Sequence, residues 1–219
     1  MLEAVLFDMD GVLADSEGVH AAALDDVLAA HGLPPATAED YARFLLGKTD
    51  RTGLADYLRA RADRPLDLEA LLKEKATAFA RRFPAEVHLF PDGVDTLRVL
   101  AARGYRVAIA SGGLEREIAM VVDLAGLAPV LSARVSGEEV PDGKPSPAPY
   151  LLAAARLGVA PPRCVVVEDA PAGVAAAKAA GMRCLAVDRV GRPEWLAAAD
   201  QVVAHLTPEA VEALGRQVP

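Results

Sequence analysis

One stretch, Val5-Leu6-Phe7-Asp8-Met9-Asp10-Gly11-Val12-Leu13, constrains the fold of this chain more than any other. An apolar run ends in two aspartates one residue apart, then a glycine. A run that is apolar at both alternating positions reads as a strand buried on both faces, the habit of parallel sheets. Asp8 and Asp10 fall where that strand stops and the chain turns. In open α/β sheets this edge, at the carboxyl ends of the strands, is where ligands bind. Gly11 can take the positive φ that an abrupt turn demands. Two carboxylates this close repel each other unless a cation, a proton or a donor stands between them. Taken alone, the pattern fits an acidic turn or helix cap as well as it fits a site.

The following seventy residues break the α/β rhythm. Val19, Ala23, Val27 and Ala30, with Leu24 and Leu28, form a helical stripe that Gly32-Leu33-Pro34-Pro35 ends. Helical patterns follow over Ala38 to Leu46, Arg51 to Arg61 and Leu68 to Phe83. This is too much helix for a single crossover. Residues 15–83 are therefore expected to form a helical cap domain, inserted between residues 1–14 and 84–219 of a catalytic core.

After Phe90-Pro91-Asp92-Gly93, strands alternate with helices, the signature of a doubly wound parallel sheet. Arg106 to Ala110 is a strand ending at Ser111-Gly112-Gly113, and Leu114 to Ala125 a helix. Arg134 to Ser136 reads as a short strand and Ala148 to Leu157 as a helix. Cys164 to Val167 is a strand ending at Glu168-Asp169, and Arg183 to Val187 is another. Lys144 stands in a proline-rich loop, Pro141 to Pro147.

These strand ends supply acidic oxygens, a hydroxyl, glycine amides and one cation. Asp8, Asp10, Glu168 and Asp169 suit a hard divalent ion held through oxygen, with Mg²⁺ the usual choice beside a phosphate. Ser111 and the amides of Gly112 and Gly113 are expected at a helix N-terminus, a ready anion site. Lys144 can neutralise both a phosphate and a carboxylate nucleophile. Phosphoryl transfer needs this inventory: charge neutralisation, in-line positioning and a nucleophile, which an aspartate can provide. Cap, surface-charge and helix-start readings remain open for each residue taken singly.

The motifs FDMDG, ASG, GKPSP and VVVEDAPAG occur in this order and in these strand contexts. In them the chain resembles the haloacid dehalogenase superfamily, specifically its phosphatases with a helical cap. That group contains phosphoglycolate phosphatases, sugar phosphatases and β-phosphoglucomutase. The resemblance spans essentially the whole chain. It implies a Rossmann-like core and a Mg²⁺-dependent phosphatase working through an aspartyl-phosphate. Asp8 would be the nucleophile, and Asp10 the general acid/base that also gives its backbone carbonyl to the metal. Ser111 and the Gly112 amide would bind phosphate, and Lys144 would bridge nucleophile and phosphate. Asp8, Asp10, Glu168 and Asp169 would form the metal site. His20 and Lys48 of the cap would touch a small phosphorylated substrate, of the sugar-phosphate type to judge by Asp15-Ser16-Glu17 ahead of His20. Arg51 and Lys75 are expected to be solvated helix residues.

The resemblance also marks departures. Dehalogenases lack the second aspartate, Asp10 here. Phosphonatases use a cap lysine, for which Lys48 would be the candidate. β-Phosphoglucomutases typically carry an arginine directly after the Ser/Thr of the cap loop and often tryptophan at position 24; here stand Asp50 and Leu24. A mutase is thus the alternative enzyme. A phospho-acceptor receiver module is the non-enzymatic one, and the helical insert has no place in it.

Other classes are disfavoured. A net charge of -8 argues against a general nucleic-acid or membrane surface. No apolar segment is long enough to span a bilayer, and no signal-like run opens the chain. A cytoplasmic monomer is expected. Cys164 and Cys184 lie in apolar runs and read as buried, reduced thiols. Neither starts a Cys-x5-Arg phosphatase loop, because Ala170 and Val190 occupy the arginine positions. Gly47-Lys48-Thr49 is no Walker loop, because Ala42 replaces its first glycine.

Overall fold

The computed structural model describes residues 1–45 and 49–216. The chain divides into two compact units, Met1–Ala14 with Leu89–Pro219, and Asp15–His88.

The first unit is built on a six-stranded parallel sheet. Its strands in chain order are β1 (Ala4–Phe7), β2 (Arg106–Ala110), β3 (Ala133–Val135), β4 (Cys164–Glu168), β5 (Arg183–Val187) and β6 (Gln201–Val203), arranged β3-β2-β1-β4-β5-β6. β1 is central, with Val5 level with Val107 on one side and Val165 on the other. All of β1 is buried, as expected of a strand apolar on both faces. Leu6, Ala108 and Val166 pack on one face of the sheet with Tyr150, Ala153, Val174 and Ala177. The alternate residues Val5, Phe7, Val107 and Ile109 are equally buried and point the other way. Parallel pairing makes β1, β2 and β4 end on the same edge. Their ends carry Asp8, Ser111 and Glu168.

The connecting helices start and stop where local chemistry dictates. Pro91–Ala102, Pro171–Ala179 and Pro208–Gly215 each begin with proline, whose missing N–H costs nothing in the first turn. Ala148–Leu157 ends at Gly158, in the left-handed conformation with φ 65°. The helix after β2 starts only at Glu115. Ser111, Gly112 and Gly113 therefore lie in the loop that leads into it, and the helix begins one residue after the expected Leu114.

Between β1 and the helix Pro91–Ala102 the chain leaves the core and returns. The Phe90 N–H donates to the Leu13 carbonyl at 2.9 Å, tying the returning segment to the leaving one. Gly93 presses so closely that a Cβ there would lie 2.0 Å from the Val12 carbonyl oxygen.

The second unit is helical, as its sequence pattern predicts. Its helices include Glu17–Ala30, Asp50–Arg61 and Leu68–Glu86. Leu24, Val27, Leu28, Leu54, Tyr57 and Leu71 form its core. Asp67 caps the last helix by accepting from the Glu69 and Ala70 N–H groups. Ala30, expected in the stripe, is exposed at its helix end. The stretch expected to be helical over Ala38 to Leu46 is an α-helical turn, Ala38–Asp40, that runs into a wider π-helical turn, Tyr41–Leu45, with Leu46 outside the described residues.

The contact at Gly93 is directly testable. Gly93→Ala places a methyl group against backbone that cannot rotate away. A loss of about 1–3 kcal/mol is expected from urea unfolding of the whole chain. An unchanged midpoint would show that the two segments are not in this contact.

Candidate active site

Four loops converge at the carboxyl edge of the sheet. The Asp8 N–H donates to the Val167 carbonyl at 2.9 Å, which extends the β1–β4 pairing one residue and fixes Asp8 at the strand end. The chain then folds into a tight turn beneath Met9. The Met9 carbonyl accepts from the N–H groups of Leu13 and Ala14, and the Gly11 N–H donates to the Ala14 carbonyl. Gly11 has a φ of 76°, and a Cβ on it would strike the Asp169 carboxylate, 1.8 Å from one oxygen. Glycine is required here twice over, by conformation and by the close approach of Asp169.

Lys144 binds the two acidic strand ends together. Its Nζ donates to Asp8 Oδ1 at 2.5 Å and to Glu168 Oε1 at 2.6 Å. Its loop is short and stiff, and the Lys144–Pro145 peptide is cis. Tyr150 supports the same group from below. Its hydroxyl donates to Glu168 Oε1 at 2.6 Å, and the ammonium of Lys144 lies 4.9 Å from its ring centre. The remaining oxygen of Glu168 accepts from the backbone N–H groups of Asp169 and Ala170. A carboxylate offers about four acceptor positions. Those of Glu168 are thus all engaged by the protein, and its side chain is packed against Gly173, where a Cβ would overlap it.

Ser111 completes the edge. Its Oγ donates to Asp10 Oδ2 at 3.3 Å and accepts from the Gly113 N–H at 3.0 Å. The Ser111 N–H bonds to the Val135 carbonyl, and the Gly137 N–H to the Gly113 carbonyl. The space around the Cα of Gly112 is open. Asp8, Asp10, Ser111, Gly112, Lys144, Glu168 and Asp169 thus all lie at the one edge.

Asp8, Glu168 and Asp169 can each direct one oxygen to a point, with those atoms within 4.8 Å of one another. Opposite ligands on Mg²⁺ are about 4.2 Å apart, so oxygens this close are within range of a shared ion. Three carboxylates face one ammonium, and a divalent cation would offset the excess charge. Burial pushes Asp8 up to about 8, against the pull of Lys144 and with the push of Glu168 and Asp10. Burial, then Glu168 and Asp8, push Asp169 well above the carboxylate range. Burial works against the charge on Lys144, but Asp8 and Glu168 hold it above the ordinary lysine range. An all-oxygen donor set that resists its own ionisation fits a hard cation. With Glu168 engaged elsewhere, Asp8 and Asp169 are the carboxylates best able to hold one.

The helical unit contains a second polar group. Lys75 forms an ion pair with Asp50, and its Nζ lies 3.2 Å from His20 Nδ1. His20 stacks on Phe79, with ring centres 4.2 Å apart. Lys75 is buried, contrary to the expectation of a solvated helix residue. Sequence reasoning missed it because its partner Asp50 is 25 residues away on another helix. Arg51 is exposed and paired with Glu69. Lys48 lies outside the described residues. Cys164 and Cys184 are buried and free, and burial pushes the Cys164 thiol up to about 11.

The sequence profile of the haloacid dehalogenase-like hydrolases matches residues 2–181. The chain belongs to this family. Among curated relatives it is 34% identical over 190 residues to the phosphorylated carbohydrates phosphatase of Thermotoga maritima, covering 83% of this chain and 82% of that one. It is 35% identical over 183 residues to hexitol phosphatase A of Escherichia coli, covering 84% and 82%. Among solved structures it resembles CbbY from Rhodobacter sphaeroides in complex with phosphate. The TM-score is 0.85 at 30% identity, over 94% of this chain and 95% of that one.

Tyr150 was legible only as part of a helix pattern. Burial, with Glu168 beside it, holds its phenol well above the usual range, so the hydroxyl keeps its proton and donates. Tyr150→Phe removes a buried bond to a charged acceptor while keeping the ring. A loss of about 2 kcal/mol is expected in denaturant unfolding. No loss would mean that the hydroxyl does not hold Glu168.

Proposed function

We propose that this hydrolase is a Mg²⁺-dependent phosphatase of a small phosphorylated metabolite, in particular a sugar phosphate, working through an aspartyl-phosphate on Asp8. The observation that carries this reading is the buried Asp8–Lys144–Glu168 bridge beside Asp10, Ser111 and Asp169. The curated relatives, named as phosphatases of phosphorylated carbohydrates and hexitols, support the substrate class.

In this reading the Asp8 carboxylate attacks phosphorus as the bond to the leaving oxygen breaks. Asp10 gives its proton to that oxygen. Water then attacks the phosphorus of the acyl phosphate, Asp10 takes the proton, and Asp8 is restored. Ser111 and the Gly112 amide hold the phosphoryl oxygens. Lys144 orients Asp8 and offsets negative charge as phosphate enters. Asp8, Asp169 and the Asp10 carbonyl would hold Mg²⁺, which supplies charge neutralisation at the phosphoryl group. Glu168 serves this centre by holding Lys144. His20 and Lys48 are the cap residues we assign to the substrate, and Lys75 Nζ lies 3.2 Å from His20 Nδ1.

The mutase alternative is less well supported. Asp50 stands where those enzymes typically carry arginine, and it is engaged with Lys75.

Phosphate release from a panel of phosphosugars and phosphoglycolate should require Mg²⁺ and stop with chelator. Glucose 6-phosphate formed from β-glucose 1-phosphate without free phosphate would instead establish the mutase. Asp8→Asn should lower turnover by about three orders of magnitude or more while unfolding normally. Asp10→Asn should slow a sugar phosphate by about 10²–10⁴-fold, but nitrophenyl phosphate far less, because that leaving group needs no proton. Equal losses on the two esters would remove Asp10 from the acid role.

A further inference from the structure

Arg189 lies two residues beyond the end of β5 and makes more contacts to the nucleophile turn than any sequence motif suggested. Its Nε donates to the Gly11 carbonyl at 2.9 Å, and Nη2 is 3.5 Å from the Val12 carbonyl. Nη1 and Nη2 grip both oxygens of Asp92 at 2.9 Å each. The guanidinium carbon lies over Phe90, 4.1 Å from the ring centre. Asp92 is itself anchored, accepting from the N–H groups of Leu206 and Gly93. The side chain of Arg189 is largely buried.

The two aspartates of the turn are held by different means. Asp8 is fixed by the sheet, through Val167, and by Lys144. Asp10 lies one residue before the carbonyls that Arg189 holds, outside the six-stranded sheet in a turn closed by its bridge to Ala14; the Ser111 hydroxyl lies 3.3 Å from its carboxylate.

We propose that Arg189 is a positioning residue for the general acid Asp10: it clamps the Gly11–Val12 carbonyls to Asp92 and so fixes the turn that carries Asp10. This role rests on the phosphatase reading. As the bond from phosphorus to the leaving oxygen breaks, its electron pair stays on that oxygen, which takes the proton from Asp10. Loosening the clamp misplaces the proton donor; Asp8 keeps its own ties to Val167 and Lys144, and saturating Mg²⁺ offsets the looser hold of the Asp10 carbonyl on the metal.

The test compares leaving groups. Arg189→Gln, assayed per folded molecule with Mg²⁺, should lower kcat/KM for the best sugar phosphate by about 30-fold, and for nitrophenyl phosphate by less than about 3-fold. Asp92→Asn should show the same asymmetry. The double variant should be no worse than the poorer single, because both remove one clamp. Arg189→Lys should recover part of the loss. If Arg189→Gln does not fold, Asp92→Asn and Arg189→Lys decide the matter by the same ratio. Losses equal for both esters, or no loss for either, would overturn the role while leaving the phosphatase reading intact. A wild-type protein that releases phosphate from neither ester would overturn that reading, and this role with it.

Discussion

The ammonium of Lys144, buried between Asp8 and Glu168, is the interaction on which the rest of the edge depends. Loss of the ammonium would leave two buried carboxylates without their cation, which is strongly destabilising. Each of the three is therefore held by further contacts. The sheet fixes Asp8, and Tyr150 and two backbone N–H groups fix Glu168. Tyr150 also lies beneath Lys144. The surrounding packing follows from these needs. Gly173 makes room for the Glu168 side chain, and Gly11 makes room for Asp169. The arrangement still holds more carboxylate than one lysine can offset, so the site is electrostatically prepared for a cation and a phosphoryl group.

The sheet explains how residues 160 positions apart come to meet. Strands β1, β2 and β4 are parallel neighbours, so each delivers its final residue to the same edge. Along their lengths the three strands are apolar and buried except for Arg106 at the start of one and Glu168 at the end of another. The polar residues of the site gather at and just beyond their carboxyl ends. The Arg189–Asp92 clamp extends the logic to the turn itself, which leaves the sheet and needs support from elsewhere.

Much of this was legible in the sequence because parallel buried strands have a plain signature. The runs Val5–Phe7, Val107–Ala110 and Cys164–Val167 are apolar throughout, and polar residues follow each at once. Their order in the sheet makes neighbours of the three motifs that stand at strand ends. The missed features are those set by contacts distant in sequence. Lys75 looks like any helix lysine until Asp50 is brought beside it. Tyr150 looks like a core aromatic, and only the position of Glu168 gives its hydroxyl a purpose. Arg189 follows an ordinary strand, and its partners are Asp92 and the carbonyls of Gly11 and Val12. The helix after Ser111 starts at Glu115, one residue beyond the expected Leu114.

The central claim is that Asp8 becomes covalently phosphorylated during turnover. Rapid acid quench of the enzyme with its best phosphosugar, followed by mass spectrometry of the N-terminal peptide, tests this most directly. The account predicts a transient, Mg²⁺-dependent phosphoryl group on Asp8 that disappears as substrate is exhausted. Steady phosphate release with no protein-bound phosphate at any quench time, or phosphate carried by a different residue, would contradict it.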